Sequence, residues 1–248
     1  MAGVIIDEPS TVQAWATAAS YVYGQGPLPT FMAVSAGHAL PSGGGPLAQY
    51  ERIAAINGAE RPNSVATVLF PEIVQRTPGT TSAKIQAGLR LFGRGRRRNK
   101  RYSGWRHTYF ERLTGQWMDR DLVLRDIKQN RLLSVIEKIN RWDRDIEAGF
   151  YAHTDAPSDT LRMRGSPCLQ YVQFRLFDGD QIELYALYRA HDYFNKALGN
   201  MIGLQRLGEF VAAQTGRSFV KQTVFSLHPF SSASKQDLRG FVEAINAI

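Results

Sequence analysis

The chain has 248 residues and an ordinary globular composition, with 44% hydrophobic and 21% charged residues. This length allows one large domain or two small ones, with a substantial core. No window approaches ~18 consecutive apolar residues, so no membrane-spanning helix and no membrane partner are expected. The opening segment MAGVIIDEPSTVQ carries acidic residues and no basic ones, so it does not resemble a secretory signal, and we expect a cytoplasmic protein.

The net charge of +8 is concentrated in one segment. GRGRRRNKR, residues 93 to 101, contains six basic residues between Arg94 and Arg101, and the rest of the chain is nearly neutral. We predict that this segment is a loop. Two interpretations stay open: a solvated loop, or a site for phosphate, nucleic acid or polyglutamate by Coulomb attraction, with nucleic acid not favoured.

The first half of the chain predicts helices and strands in alternation. Ser10 and Gln13 form a capping-box pattern that opens a helix. TFMAVSAG then predicts a strand, and LPSGGGP, residues 40 to 46, predicts a loop. SVATVLF predicts a second extended segment that ends at Pro71, and residues 84 to 92 predict a short helix leading into the basic segment.

The second half gives stronger patterns. Apolar residues at three- and four-residue intervals predict a helix between Asp119 and Trp142; they are Leu124, Ile127, Leu132, Val135, Ile136 and Ile139. CLQYVQFRLF and QIELYALY predict two strands joined by a hairpin at Asp178-Gly179-Asp180. A long apolar-striped helix, the strand VKQTVFSL and a last helix beginning at Ser234 follow. The expected fold is a single α+β domain over residues 1–248, with a mainly antiparallel or mixed sheet flanked by helices.

Cys168, the only cysteine, follows Pro167 directly and precedes the first of these two strands. One cysteine forms no internal disulfide, which is consistent with a reducing compartment. Considered alone, it is expected to be buried packing material. A cysteine hydrolase using one of the five histidines has no local signature, and no metal-ligand spacing is present.

The residues that follow Cys168 resemble the thymidylate synthase family, which includes pyrimidine nucleotide hydroxymethylases. The family pattern is P-C, a strand with Q-F, a D-G hairpin, R-x-x-D, an Asn or Asp eight residues later, and H-x-Y. The matching positions are Pro167-Cys168, Gln173-Phe174, Asp178-Gly179, Arg189 to Asp192, Asn200, and His228 to Phe230. Upstream, RYSGWR (101 to 106) is similar to the family's Y-G-x-x-W-R. The resemblance is strongest over residues 162–230 and loose over residues 1–90.

This resemblance implies transfer of a methyl or hydroxymethyl group to C5 of a pyrimidine nucleotide such as dUMP, with 5,10-methylenetetrahydrofolate as cofactor. It implies a homodimer in which a partner's arginine completes the phosphate site. The implied site residues are Cys168 as nucleophile, Tyr102 for proton handling, Asp192 at the pyrimidine and folate, Arg189 and the partner's Arg144 at the phosphate, Asn200 at the base, His228 at the ribose, Gln173 in the substrate site, and Ile248 at the cofactor.

Elementary chemistry explains why such residues belong together. A thiolate that adds at C6 of a uracil ring makes C5 nucleophilic toward a one-carbon unit, and cationic neighbours favour the thiolate. Arginine binds phosphate in a bidentate way. The amide of Asn200 offers one donor and one acceptor, which match O4 and N3–H of uracil, whereas family members acting on cytosine carry Asp there.

Four positions depart from the family pattern: Leu169 replaces a histidine, Ala190 a serine, Phe230 a tyrosine and Asp145 an arginine. Each change removes a polar or basic group from the expected site. A catalytically silent nucleotide-binding protein on the same fold, with a regulatory or defence role, therefore stays open as the alternative function.

Both alternating faces of CLQYVQFRLF carry apolar residues. Val172, Phe174 and Leu176 are expected on one face, and Leu169, Tyr171 and Phe177 on the other. A sheet with one solvated face would alternate more cleanly. The second apolar face must meet helices or a partner, and a twofold symmetric dimer is the commonest arrangement.

Overall fold

The computed structural model describes residues 3–24, 31–39, 46–57, 59–98, 107–119, 121–127, 129–142, 150–155, 159, 166–178 and 180–233. Within these residues a six-stranded sheet is packed against helices, which confirms the α+β class. The strands are β1 (Val4–Ser10), β2 (Met32–Ala39), β3 (Gln116–Met118), β4 (Leu124–Asp126), β5 (Tyr151–His153), β6 (Leu169–Phe177), β7 (Gln181–Tyr188), β8 (His191–Asp192), β9 (Ser218–Ser226) and β10 (Pro229–Phe230). The helices are α1 (Thr11–Gly24), α2 (Pro46–Asn57), α3 (Pro62–Leu69), α4 (Glu72–Arg76), α5 (Thr81–Arg98), α6 (Tyr109–Thr114), α7 (Arg131–Asn140) and α8 (Ala197–Gln214).

The main sheet has the strand order β1-β2-β9-β7-β6-β5 and is mixed. The pairs β1–β2 and β7–β9 are parallel, and the other three are antiparallel. Helices α1 and α8 pack against β1, β2, β7 and β9. Two short pairs, β8–β10 and β3–β4, complete the strand pairing of the described residues. None of the described helices is both long and apolar enough to cross a membrane.

Three local predictions are confirmed by the geometry of the structure. Ser10 caps α1, because its hydroxyl accepts from the Gln13 backbone N–H at 3.3 Å and donates to the Gln13 side chain at 2.8 Å. β6 and β7 form the predicted hairpin, with Asp178 at a positive φ of 46° in the turn. α8 is the predicted long helix, and Gly216 follows it at φ 66°.

The prediction of an extended segment at SVATVLF is wrong, because all of these residues except Phe70 belong to α3. Pro62 stands in the first turn, where its missing N–H costs nothing. Helix α3 packs closely on α8 because glycines face it: a Cβ at Gly199 would lie only 2.5 Å from the Cβ of Val65, and one at Gly203 2.9 Å from that of Leu69. Tertiary packing therefore overrides the β preference of the valines and threonine.

The predicted helix between Asp119 and Trp142 is correct only over Arg131–Asn140, which form α7. Asn130 caps this helix by accepting from the Leu133 N–H at 3.0 Å, and the predicted apolar positions from Leu132 to Ile139 are buried. Leu124 instead lies in the β3–β4 hairpin. Asp119 stabilises that hairpin by accepting from the N–H groups of Asp121 and Val123, both at 2.9 Å.

The basic segment is not a loop over its described part, because α5 continues to Arg98. Arg94 and Arg97 are exposed, but Arg96 is buried and forms a bidentate pair with Glu111 of α6, at 2.6 and 2.5 Å. Arg96 also donates to the Met118 carbonyl at 2.9 Å. One of the six basic residues is therefore part of a structural ion pair. Residues 99 to 101 lie outside the described residues, as do residues 40–45 and the predicted last helix.

A β-bulge changes the expected faces of β6. The pairing shifts between Leu169, opposite Tyr188, and Tyr171, opposite Leu187. Leu169 therefore shares the buried face of Val172, and the prediction that it lies with Tyr171 is wrong. The other face is less buried, and an apolar row crosses it in register: Tyr171, Leu187, Phe225, Ala33 and Ile5.

Replacing Arg96 tests the buried ion pair. Arg96→Met leaves the fully buried carboxylate of Glu111 without its cation, and we expect the free energy of unfolding to fall by about 3–5 kcal/mol in urea denaturation. Arg94→Met, on an exposed position of the same helix, should change it by less than about 0.5 kcal/mol. Equal effects of the two variants would show that the Arg96–Glu111 pair does not stabilise the junction of α5 and α6.

Candidate functional site

A cavity of about 570 Å³ opens between the segment just before β6, the strands β8 and β10, and the helices α3, α6 and α8. Its volume lies within the range of ~300–1,000 Å³ that small-molecule sites occupy. The lining residues are Glu60, Val65, Val68, His107, Thr108, Tyr109, Arg112, Ser166, Pro167, Cys168, Ala190, His191, Asp192, Lys196, Asn200 and Phe230. Three predicted site residues, Cys168, Asp192 and Asn200, therefore share one cavity although they come from three different elements.

Cys168 stands immediately before β6 and is half-buried. Its backbone is fixed from two sides: its carbonyl accepts from the Arg189 N–H at 2.9 Å, and its N–H donates to the Tyr109 hydroxyl at 3.1 Å. The same hydroxyl accepts from the Leu169 N–H at 3.3 Å. Burial raises the pKa of Tyr109, so the phenol keeps its proton at neutral pH. Tyr109 thus places a protonated hydroxyl beside the segment that carries the thiol.

Arg189 has an exposed side chain next to the cavity. Its Nε donates to the Pro167 carbonyl at 3.2 Å and its Nη2 to the Ser166 carbonyl at 2.9 Å. Both carbonyls belong to residues that line the cavity just before Cys168. The guanidinium therefore supports the cysteine segment and carries its positive charge at the edge of the site.

Asp192 is held rigidly by three backbone N–H groups. Its Oδ1 accepts from Phe194 at 3.0 Å, from Asn195 at 3.3 Å and from Ser232 at 3.2 Å. These bonds join the turn before α8 to the segment after β10. The carboxylate of Asp192 therefore has a fixed place in the cavity wall.

Asn200 lies in the first turn of α8 and is 5% exposed. Its Nδ2 is 3.2 Å from Nε2 of His191, a fully buried ring that stacks on Tyr188 with centroids 4.1 Å apart. Burial lowers the pKa of His191 to about 3, so this imidazole is neutral at physiological pH. The amide expected to bind a base is therefore held by a neutral histidine.

Helix α6 positions Tyr109 and Arg112 through buried charges. Thr108 and Glu111 form a capping box: the Thr108 N–H donates to Glu111 at 2.8 Å, and the Glu111 N–H donates to Thr108 at 3.2 Å. Arg112 pairs with Asp159 at 2.5 Å and donates to the Thr154 carbonyl at 3.0 Å. These contacts fix the helix against the cysteine segment.

Two predicted site residues lie away from the cavity lining. His228 is exposed, its ring stacks on Phe230, and its carbonyl accepts from the His191 N–H at 2.9 Å. Gln173 lies on the less buried face of β6, where it accepts from the Tyr171 hydroxyl. Tyr102, Arg144, Asp145 and Ile248 lie outside the described residues.

Several residues of the cavity wall are not among those that the sequence predicts. Tyr109, Arg112 and His107 come from the start of α6, where T-Y-F-E at residues 108 to 111 is a visible capping-box pattern. His191 is the second variable position of R-x-x-D. Glu60 and Lys196 form an ion pair across the wall, and no spacing in the sequence links them.

Two of the four positions that depart from the family pattern make this wall more apolar. Ala190 and Phe230 line the cavity, and Leu169 is completely buried behind Cys168. Within the described residues, no group of three or more His, Cys, Asp or Glu side chains could hold a metal ion. The site is thus a mixed cavity with one thiol, one fixed carboxylate and one oriented amide.

Comparison with known proteins gives a distant relationship. No known family model matches the chain. It is 30% identical over 97 residues to a Methanopyrus kandleri protein and 33% identical over 110 residues to a Methanocaldococcus jannaschii protein, both named "Putative thymidylate synthase". These matches cover 39% and 42% of this chain, which spans 46% and 48% of the two relatives, about half of each. The chain therefore has a distant thymidylate synthase-like relationship.

The Tyr109 hydroxyl gives a direct test of how the cysteine segment is held. Tyr109→Phe leaves the N–H groups of Cys168 and Leu169 without their acceptor, and we expect a loss of about 1–3 kcal/mol in unfolding free energy. The rate of Cys168 alkylation should change as well, because the segment is no longer fixed. The measurements are urea denaturation and iodoacetamide labelling followed by intact mass.

Tyr188→Phe is the matched control. The Tyr188 hydroxyl is buried and has no hydrogen-bond partner within the described residues, so its removal should be neutral or stabilising. If the two variants lose the same stability, the bonds to Tyr109 do not fix the cysteine segment.

Proposed function

We propose that this protein is a thymidylate synthase-like enzyme that transfers a one-carbon unit to C5 of a pyrimidine nucleotide, with a uracil nucleotide such as dUMP as substrate. The observation that carries this proposal is the convergence of Cys168, Asp192 and Asn200 on one cavity. The distant relationship to proteins of that name supports the same conclusion.

Cys168 is the proposed nucleophile. Its thiolate adds to C6 of the pyrimidine, and electron density moves to C5 and O4, so that C5 attacks the one-carbon unit. The thiolate leaves C6 again after C5 has lost its proton. Tyr109 lines the same cavity and its hydroxyl binds the backbone of Cys168, and we propose it, in addition to Tyr102, as a proton-handling group.

Asn200 is proposed to bind the base of the substrate, and two arginines are proposed to bind its phosphate. Asn200 offers an acceptor and a donor to N3–H and O4 of uracil. Arg189 supplies positive charge at the cavity edge for the phosphate, and the partner's Arg144 is proposed to complete that site. His228 is proposed to approach the ribose from the exposed side of Phe230.

The proposed cofactor is 5,10-methylenetetrahydrofolate, which supplies the one-carbon unit when bound. The donor set of the cavity fits a folate, since Asp192 presents a fixed carboxylate to the N–H groups of a pterin, and Val65, Val68 and Phe230 give apolar surface. Ile248 is proposed to contact the same cofactor.

A homodimer is proposed through the less buried face of the sheet. Tyr171, Leu187 and Phe225 form an in-register apolar row on β6, β7 and β9, and Ile5 at the end of this row is 78% exposed. An apolar row of this kind is typical of an interface. The partner's Arg144 is proposed, on the resemblance alone, to reach the Cys168 site across this twofold interface.

Trapping the covalent adduct tests the chemistry. Incubation with 5-fluoro-dUMP and methylenetetrahydrofolate should give an adduct on the wild type, seen by intact mass, because fluorine at C5 cannot leave as the proton does. Cys168→Ser should fold, as judged by circular dichroism, and form none. A wild type that binds the nucleotide and stays unmodified would contradict catalysis and support the silent nucleotide-binding alternative.

Subunit complementation tests the assembly. Arg144→Ala and Cys168→Ser homodimers should each be inactive, and their mixture should regain activity because one site of the heterodimer carries both wild-type residues. Leu187→Glu should yield monomers by light scattering, whereas Ile73→Glu, at a 42% exposed position of α4, should not. A wild-type monomer at micromolar concentration would contradict the dimer.

A further inference from the structure

A chain of buried hydrogen bonds runs from the cavity into the core. Asn200 Nδ2 contacts His191 Nε2 at 3.2 Å, His191 Nδ1 contacts Ser226 Oγ at 3.0 Å, and Ser226 Oγ contacts the Tyr193 hydroxyl at 3.1 Å. All four side chains are at most 5% exposed. The proposed function uses only Asn200 from this chain.

The His191 ring has little freedom within this chain. It stacks on Tyr188 with an angle of 3° between the rings, and the backbone N–H of His191 is bound to the His228 carbonyl. A neutral imidazole has one donor nitrogen and one acceptor nitrogen. If Nδ1 carries the proton and donates to Ser226, Nε2 has only a lone pair to offer, and that lone pair faces the amide nitrogen of Asn200.

The Nδ1–H tautomer permits one orientation of the amide. With one Nδ2 hydrogen on His191, Asn200 keeps its second Nδ2 hydrogen and its Oδ1 for a ligand in the cavity. Turning the amide over would bring Oδ1 against the Nε2 lone pair, so that two acceptors would face each other in a buried place. The histidine therefore resists the flip.

We propose that His191 is a positioning residue that fixes the amide orientation of Asn200, and through it the preference for a uracil over a cytosine nucleotide. The base preference rests on the proposed function. Uracil offers N3–H and O4, which fit the held orientation, whereas cytosine offers a bare N3 and an amino group, which require the flipped one. The selectivity of this cavity thus depends on a residue that need not contact the base.

The first experiment needs no nucleotide. In protein labelled with 15N at the histidine rings, long-range 1H–15N spectra at pH 7 should show His191 as the neutral Nδ1–H tautomer, its signals assigned by their loss in His191→Phe. Ser226→Ala removes the partner of Nδ1 and should shift the ring toward the Nε2–H form. A wild-type ring that is charged, or protonated on Nε2, would overturn the proposal.

The second experiment measures the ratio of dUMP to dCMP affinity by calorimetry. This ratio should fall about tenfold in His191→Phe, because the freed amide can turn to either base. The ratio should also fall in Ser226→Ala. Tyr188→Phe, which keeps the stacked ring and the hydrogen-bond chain, should keep the wild-type ratio. An unchanged ratio in both His191→Phe and Ser226→Ala would overturn the role of His191 in base choice.

A wild type that binds neither nucleotide would refute the proposed substrate instead. The tautomer measured in the first experiment would then still decide whether His191 orients the amide.

Discussion

The fully buried carboxylate of Glu111 is the constraint on which the site depends. A charge in that position is tolerated only when its oxygens are completely paired, and here they meet the Arg96 guanidinium and the Thr108 N–H and hydroxyl. These bonds join α5 to α6 and define where α6 begins. Tyr109 is the first residue of that helix, and its hydroxyl is consequently placed where it accepts from the N–H groups of Cys168 and Leu169.

The far side of the cavity depends on polar groups as well. Asp192 joins the start of α8 to the segment after β10, and β10 pairs with β8 directly beside His191. The amide of Asn200 and the thiol of Cys168 are therefore each supported by buried or backbone hydrogen bonds rather than by side-chain packing alone. Such support gives a site a fixed geometry before any ligand arrives.

The sequence contains much of this site, because the thiol, the R-x-x-D segment and Asn200 all follow one another along β6, the hairpin, β8 and α8. These residues lie close together in the sequence as well as in space, so their spacing along the chain predicts that they share one site. Tyr109 is different: its role depends on how α6 packs against Cys168, 59 residues further along the chain, and spacing carries no such information. The role of His191 is hidden in the sequence for the same reason, since its partner Ser226 lies on another strand.

The wrong predictions about the fold also have physical causes. SVATVLF has a strand-like composition, but the glycines of α8 that admit a helix at this place are more than 130 residues away. GRGRRR has the composition of a solvated loop, yet Arg96 finds a buried partner that only the tertiary structure supplies. The β-bulge between Leu169 and Tyr171 cannot be read from an alternating pattern, and it moves Leu169 to the opposite face of the strand.

The two glycines of α8 have a consequence for how this site can vary among related sequences. Gly199 immediately precedes Asn200, and the backbone of α3 lies where its side chain would be, with the Pro62 carbonyl 2.6 Å from an ideal Cβ. Any larger residue would push the two helices apart. Because α3 and α8 both line the cavity, a substitution at either glycine changes the shape of the site without altering a side chain that lines it.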